Sequence, residues 1–141
     1  MLIPSIHNVS TEQETTELAN EFSKEISLGD VIVLNGDLGS GKTFFVNKTL
    51  LNFEITDVNS PTFAIVNEYE GKVKFYHLDF YRIEKIIELY DIGIEDYFDC
   101  KEAISFVEWG NLFNDVLPEK RIEVNFKLNS NFTRDIEFKK I

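Results

Sequence analysis

Val31-Ile32-Val33-Leu34-Asn35-Gly36-Asp37-Leu38-Gly39-Ser40-Gly41-Lys42-Thr43 decides the fold, because an apolar run leads straight into an octet of the form G-x-x-x-x-G-K-[ST]. The run Val31 to Leu34 is continuous rather than alternating, as a parallel strand covered on both faces requires. In the octet, glycines let a tight loop turn its backbone N–H groups towards phosphate oxygens, and the positive end of the following helix adds to the attraction. Lys42 would carry a mobile point charge to the terminal phosphates, and the Thr43 hydroxyl would offer a hard oxygen to Mg²⁺. An ordinary glycine-rich turn is the plainer reading, but here strand, loop and helix signals follow in the order a phosphate-binding loop needs.

The 141 residues around this stretch are 43% hydrophobic and 13% aromatic, enough for one α/β domain spanning 1–141, and thirteen Phe predict a core rich in large rings. No apolar run approaches the ~20 residues of a membrane helix, and Met1-Leu2-Ile3-Pro4 has no basic flank, so a cytoplasmic location is expected. Cys100 is the only cysteine, which excludes an intrachain disulfide and a cysteine-built metal site. A net charge of −11 argues against direct, tight binding of nucleic acid.

Towards the N-terminus, Leu2 to Asn8 reads as an edge strand. Ser10 and Gln13 have capping-box spacing before a helix that runs to about Ser27, with Leu18, Phe22 and Ile26 on its apolar face. Beyond the octet, the pattern predicts a helix over Phe44 to Phe53, a loop to Pro61, and a hairpin of Thr62 to Glu70 with Lys72 to Leu78. Ile83 to Tyr90 has helical spacing, Asp91 to Asp99 reads as a polar-aromatic turn region, and Ala103 to Val107 forms an apolar strand that ends at Glu108. Arg121 to Leu128 and Thr133 to Phe138 alternate around Asn129-Ser130-Asn131 as a second antiparallel hairpin. The expected architecture is a mixed sheet with a parallel core, antiparallel hairpins and flanking helices, similar to P-loop NTPases.

A phosphate-binding loop needs an acidic partner to orient Mg²⁺ through its waters and to position the attacking group. Glu108 and Asp79 both stand at strand ends, where ligands collect in open α/β sheets, and either is a candidate for the principal acid. His77 reads as a hydrogen-bonded structural group, and Trp109 either fills the core or stacks on a base.

Gly36 to Thr43, Ser60-Pro61-Thr62-Phe63, His77-Leu78-Asp79-Phe80-Tyr81-Arg82, Gly93 to Phe98 and Val107-Glu108-Trp109 occur in the order and spacing of the TsaE (YjeE) ATPases, which this chain resembles over nearly its whole length. The resemblance implies ATP and Mg²⁺ as ligands, Lys42 and Thr43 as phosphate and metal residues, and Glu108 as a Walker-B-like acid. It further implies Asp79 as a second functional carboxylate, Thr62 in a switch-like loop near the γ-phosphate, and a functional Trp109. The implied activity is slow ATP hydrolysis in support of a TsaD–TsaB complex that places threonylcarbamoyl on tRNA, with the tRNA held by those partners. Phe44 and Gly110 depart from the family's usual Thr and Pro. Ser10 and Thr11, ahead of the first helix, are the candidates for contact with the base.

A small P-loop kinase is the alternative, but it needs a lid and several cations for its acceptor, and only Arg82, Arg121 and Arg134 are present as arginines. In Asn47-Lys48-Thr49-Leu50 a leucine replaces the acid of the guanine-reading pattern, which counts against a GTPase.

Overall fold

The computed structural model describes residues 2–56 and 65–141. Among them, seven strands form one sheet in the order β1-β7-β6-β2-β5-β4-β3. The strands are β1 (Ser5–Val9), β2 (Val31–Asn35), β3 (Val66–Glu70), β4 (Lys74–Asp79), β5 (Ala103–Glu108), β6 (Ile122–Leu128) and β7 (Arg134–Lys140). β2 lies between β5 and β6 and is parallel to both, and β4 is parallel to β5. The hairpins β3–β4 and β6–β7 and the edge strand β1 add the antiparallel pairs. Every residue of β2 from Val31 to Leu34 is buried, as its unbroken apolar run requires.

Helices α1 (Glu12–Ser23) and α2 (Lys42–Leu51) cover one face of the sheet, while α3 (Ile86–Asp91) and α4 (Ile94–Asp99) cover the other. On the first face Phe45 of α2 meets the rings of Phe22, Phe126 and Phe138 at centroid distances of 5.4, 5.6 and 5.8 Å. The expected core of large rings is thus found, with α2 fastened to it one turn beyond Lys42. Short 3₁₀ turns over Gly110–Val116, broken at Phe113, close the second face beside β2. Gly110 is buried there against Leu117, Val33 and Val107.

Three expectations need correction. The first helix is capped by Thr11 rather than Ser10: the Thr11 hydroxyl accepts from the Glu14 N–H at 3.1 Å, and the Glu14 carboxylate accepts from the Ser10 N–H at 3.2 Å. A carboxylate suits the positive helix end better than the Gln13 amide, which pairs instead with Glu17. That helix also stops at Ser23, four residues before Ser27, where the Lys24 and Glu25 N–H groups tighten to the carbonyls of Glu21 and Phe22, and the Glu25 carboxylate beyond it accepts from the N–H of Leu2 at 2.8 Å. Finally, 94–99 is helix α4 and not a turn region: Ile94 and Phe98 lie one turn apart and are both buried.

Other boundaries move by one to three residues: β1 and α3 each begin three residues later than expected, and Asp79 becomes the last residue of β4 instead of following it. The segment 57–64, which holds the first three residues of the expected strand from Thr62, lies outside the described residues. Among the described residues no helix is long and apolar enough to cross a membrane.

Because Phe45 joins both helices of one face to the sheet, Phe45→Ala should lower stability by about 3–5 kcal/mol. Urea denaturation should show this as a lower midpoint with an unchanged slope.

Candidate functional site

All four parallel strands run in one direction, so the residues that follow or end them meet along one edge. β2 delivers the chain there at Asn35, and the loop Gly36 to Gly41 turns it into α2. At Gly36 (φ +151°) a Cβ would lie 2.7 Å from Ser40 Oγ and 2.8 Å from the Phe126 carbonyl, so no side chain fits. Gly41, also at positive φ, precedes α2 without any side-chain cap. The first N–H groups of α2 therefore have no acceptor in the helix and face the cleft at its positive end.

Lys42 is only 5% exposed. Its ammonium donates to the Gly36 carbonyl and lies 3.7 Å from the centroid of the Trp109 ring. Burial pushes its pKa down, against the pull of Glu108, Asp79 and Asp37. Thr43, the next residue, donates its hydroxyl to Glu108 at 3.1 Å from Oε1 and 3.3 Å from Oε2.

Glu108 ends β5 and is 4% exposed. Its Oε2 is 2.6 Å from His77 Nε2 on neighbouring β4. Asp79, two residues on along the same face of β4, lies directly opposite Glu108 in the ladder. Burial raises the Asp79 pKa and the Glu108 charge raises it further, while the Tyr81 N–H at 2.9 Å, His77 and Lys42 oppose the rise. Trp109 takes a left-handed conformation (φ +62°) just after Glu108. That turn presents its indole to Lys42 on one side and to Tyr81, 5.0 Å between centroids, on another. Trp109 thus lines the cleft while also packing against the core of the second face.

The sequence-predicted residues Leu38, Gly39, Gly41, Lys42, Thr43, Asp79, Glu108 and Trp109 line one cleft of about 340 Å³, together with Phe44 and Tyr81. Gly36, Asp37 and Ser40 complete the loop behind it, with the Ser40 Oγ buried and unpartnered among the described residues. Thr62 lies outside the described residues. Gly41 and Phe44 line both this cleft and a smaller one of about 130 Å³, which Glu12, Thr15, Phe126, Arg134 and Ile136 also line. The Ser10 and Thr11 hydroxyls are engaged with Glu14, and it is their helix neighbours that reach this pocket.

Sequence reasoning missed Arg134. It opens β7, which runs antiparallel to β6, so the hairpin returns it to the loop edge beside Gly41. Its buried Nε has no hydrogen-bond partner among the described residues. The signal was available only in the strand direction after Asn129-Ser130-Asn131. A larger cleft, about 820 Å³, opens at the opposite end of the sheet and gathers Lys101, Lys120, Arg121 and Lys140. Asp30 and Asp99 are interleaved with these cations, and Arg121 is held by Glu123 at 2.8 Å, so the structure makes no free basic patch there.

A mixed sheet with a G-x-x-x-x-G-K-T loop at the carboxyl edge of its central parallel strand, facing two strand-end carboxylates, places the chain among mixed α/β proteins of the P-loop type. The family model described as "Threonylcarbamoyl adenosine biosynthesis protein TsaE" matches residues 9–136. The tRNA threonylcarbamoyladenosine biosynthesis protein TsaE of Bacillus subtilis is 38% identical over 128 residues, covering 89% of this chain and 79% of that protein. The TsaE protein of Rickettsia typhi is 34% identical over 138 residues, covering 96% of this chain and 94% of that one. The crystal structure of Bacillus subtilis YdiB superposes with a TM-score of 0.81 at 30% identity, covering 98% of this chain and 86% of that one. The chain belongs to the TsaE family of tRNA threonylcarbamoyladenosine biosynthesis proteins. These matches lend no support to the kinase alternative.

The raised pKa of Asp79 gives a test of stability. A carboxylate whose folded pKa exceeds its unfolded value favours folding below the unfolded pKa, and that contribution is lost as pH rises through the folded pKa. Asp79→Asn should therefore melt at a higher temperature than the parent at pH 7 without ligand, and the difference should vanish in acid where both side chains are neutral.

Proposed function

We propose that this chain binds ATP with Mg²⁺ in the cleft between Lys42, Asp79 and Glu108 and hydrolyses it slowly. The observation that carries the reading is the meeting of Thr43, from the phosphate-binding loop, with Glu108, from the end of the adjacent parallel strand, at 3.1 Å. Hydroxyl and carboxylate oxygens are the hard donors that Mg²⁺ takes, usually one or two from protein beside its waters and the phosphates. Thr43 and Glu108 fit that small requirement. Bound there, the metal supplies charge neutralisation on the phosphates.

Backbone N–H groups of Gly39 to Thr43 hold the phosphate chain, and Lys42 exchanges the Gly36 carbonyl for phosphate oxygens. A nearly buried lysine interacts more strongly with an anion than an exposed one does, which offsets the cost of its desolvation. Glu108 orients the attacking water or the metal's own waters; Asp79, with its raised pKa, is the second group able to accept the proton of that water. Thr62 would act from a switch-like segment near the γ-phosphate. The pocket of Glu12, Thr15, Phe44 and Arg134, behind the loop, is the place for the nucleoside.

Arg121 lies at the far end of the sheet, and Arg134 stands behind the loop at Gly41 rather than in the cleft. The lack of an arginine among the described lining of the cleft supports slow turnover by the isolated chain. The family's place in threonylcarbamoyladenosine biosynthesis supports TsaD and TsaB as partners, with turnover serving that complex in the cytoplasm and the tRNA held by the partners rather than by this acidic chain.

Phosphate release with saturating ATP tests the reading. Lys42→Ala should lose most turnover, and an unchanged rate would sink the assignment. Glu108→Gln should lower kcat by about 10²-fold or more, on the order of 3 kcal/mol, with a smaller loss of nucleotide affinity. If Asp79→Asn alone abolishes hydrolysis, the principal acid is on β4. Thr43→Ala should weaken binding in Mg²⁺ more than in EDTA. Addition of TsaD, TsaB and tRNA should alter the rate, and no binding and no change would remove the partner assignment while leaving the ATPase.

A further inference from the structure

We infer that His77 is a positioning residue for the site: it fixes the Glu108 carboxylate so that one oxygen remains for the metal. The inference rests on the nucleotide reading above and deepens it. His77 is fully buried, and its Nε2 lies 2.6 Å from Glu108 Oε2. With Glu108 as the carboxylate, which only accepts, Nε2 carries the hydrogen. The other ring nitrogen, Nδ1, is buried with no partner among the described residues.

A histidine kept only for packing would satisfy both nitrogens or be replaced by an apolar ring, since burying an unpaired polar atom costs stability. Phe75, two residues earlier on the same face of β4, is such a ring. The arrangement at His77 instead spends its one strong bond on the acid of the site. Strand pairing sets this geometry: His77 lies opposite Phe106 and Asp79 opposite Glu108, so the imidazole approaches Glu108 from within the sheet. Thr43 approaches the same carboxylate from α2 and is nearer to Oε1. Oε2 is thereby tied to a buried, immobile ring, and Oε1 is left towards Thr43 and the cleft. Groups that hold a metal's ligands in place characteristically change metal affinity by about 10–100-fold when removed.

The test compares His77→Leu, His77→Gln and His77→Asn by calorimetric titration with the non-hydrolysable analogue AMPPNP, in EDTA and across a Mg²⁺ series. Gln can place its amide N–H where Nε2 stands, whereas the shorter Asn reaches only the Nδ1 position. His77→Leu and His77→Asn should need at least tenfold more Mg²⁺ for half-maximal tightening, with affinity in EDTA within twofold of the parent. His77→Gln should stay within about threefold of the parent. Should His77→Leu not fold, the contrast between Gln and Asn carries the test. In the ligand-free protein, nitrogen-15 NMR should show the Nε2–H tautomer of His77, and Glu108→Gln should shift its ring signals. Equal losses in EDTA and Mg²⁺, equal behaviour of Gln and Asn, or an Nδ1–H tautomer would overturn the proposal. If the parent binds AMPPNP more tightly with Mg²⁺ and the variants match it, only this proposal falls. If the parent does not bind AMPPNP, the nucleotide reading falls and takes this proposal with it.

Discussion

The register of the parallel strands is the constraint on which the site depends. Leu34 of β2 pairs with Glu108 of β5, and Glu108 pairs with Asp79 of β4, so three strands reach the same edge at the same level. One residue after Leu34 the chain leaves the sheet as the glycine-rich loop Gly36 to Gly41. Side chains alternate along a strand, so a slip of one residue in β5 would turn Glu108 to the opposite face and leave Thr43 without its partner. The burial of Val31 to Leu34 and of all of β5 on both faces makes such a slip expensive. The edge that carries the candidate site is therefore fixed by apolar pairing along the strands that lead to it.

The site is held together at a cost to its own groups. Lys42 and Glu108 are nearly buried, Asp79 sits where its charged form is disfavoured, and Trp109 adopts a backbone conformation that strains a side chain with a Cβ. The ring cluster of Phe22, Phe45, Phe126 and Phe138 lies beneath the same helix and supplies the apolar burial that offsets these terms. Polar strain and aromatic packing are thus joined in α2, one turn apart.

Much of this was legible from residue order alone. The unbroken run of β2, the octet after it and the carboxylates at the ends of β4 and β5 all follow from periodicity and punctuation, which are local properties. What was not legible depends on partners across strands. His77 reads locally as a hydrogen-bonded structural group, but nothing in 74–79 says that its partner is Glu108. Arg134 is far from the loop in sequence and reaches it only through the direction of β7. Helix α4 was hidden by its acids: Glu95, Asp96 and Asp99 suggested a turn, whereas Ile94 and Phe98 at a four-residue interval specify a buried face. The cap of α1 shifted because a carboxylate one residue beyond Gln13 outcompeted the amide for the same backbone donors.

Trp109 is the only tryptophan in the chain. Excited at the red edge of protein absorption, where tyrosine and phenylalanine absorb little, the molecule emits from a single indole, and that indole lies against the Lys42 ammonium. With that excitation the emission of the protein therefore originates at the loop edge of the sheet. A ligand that draws the lysine off the ring changes the field at the chromophore directly, so occupancy of the cleft can be followed in real time without a label.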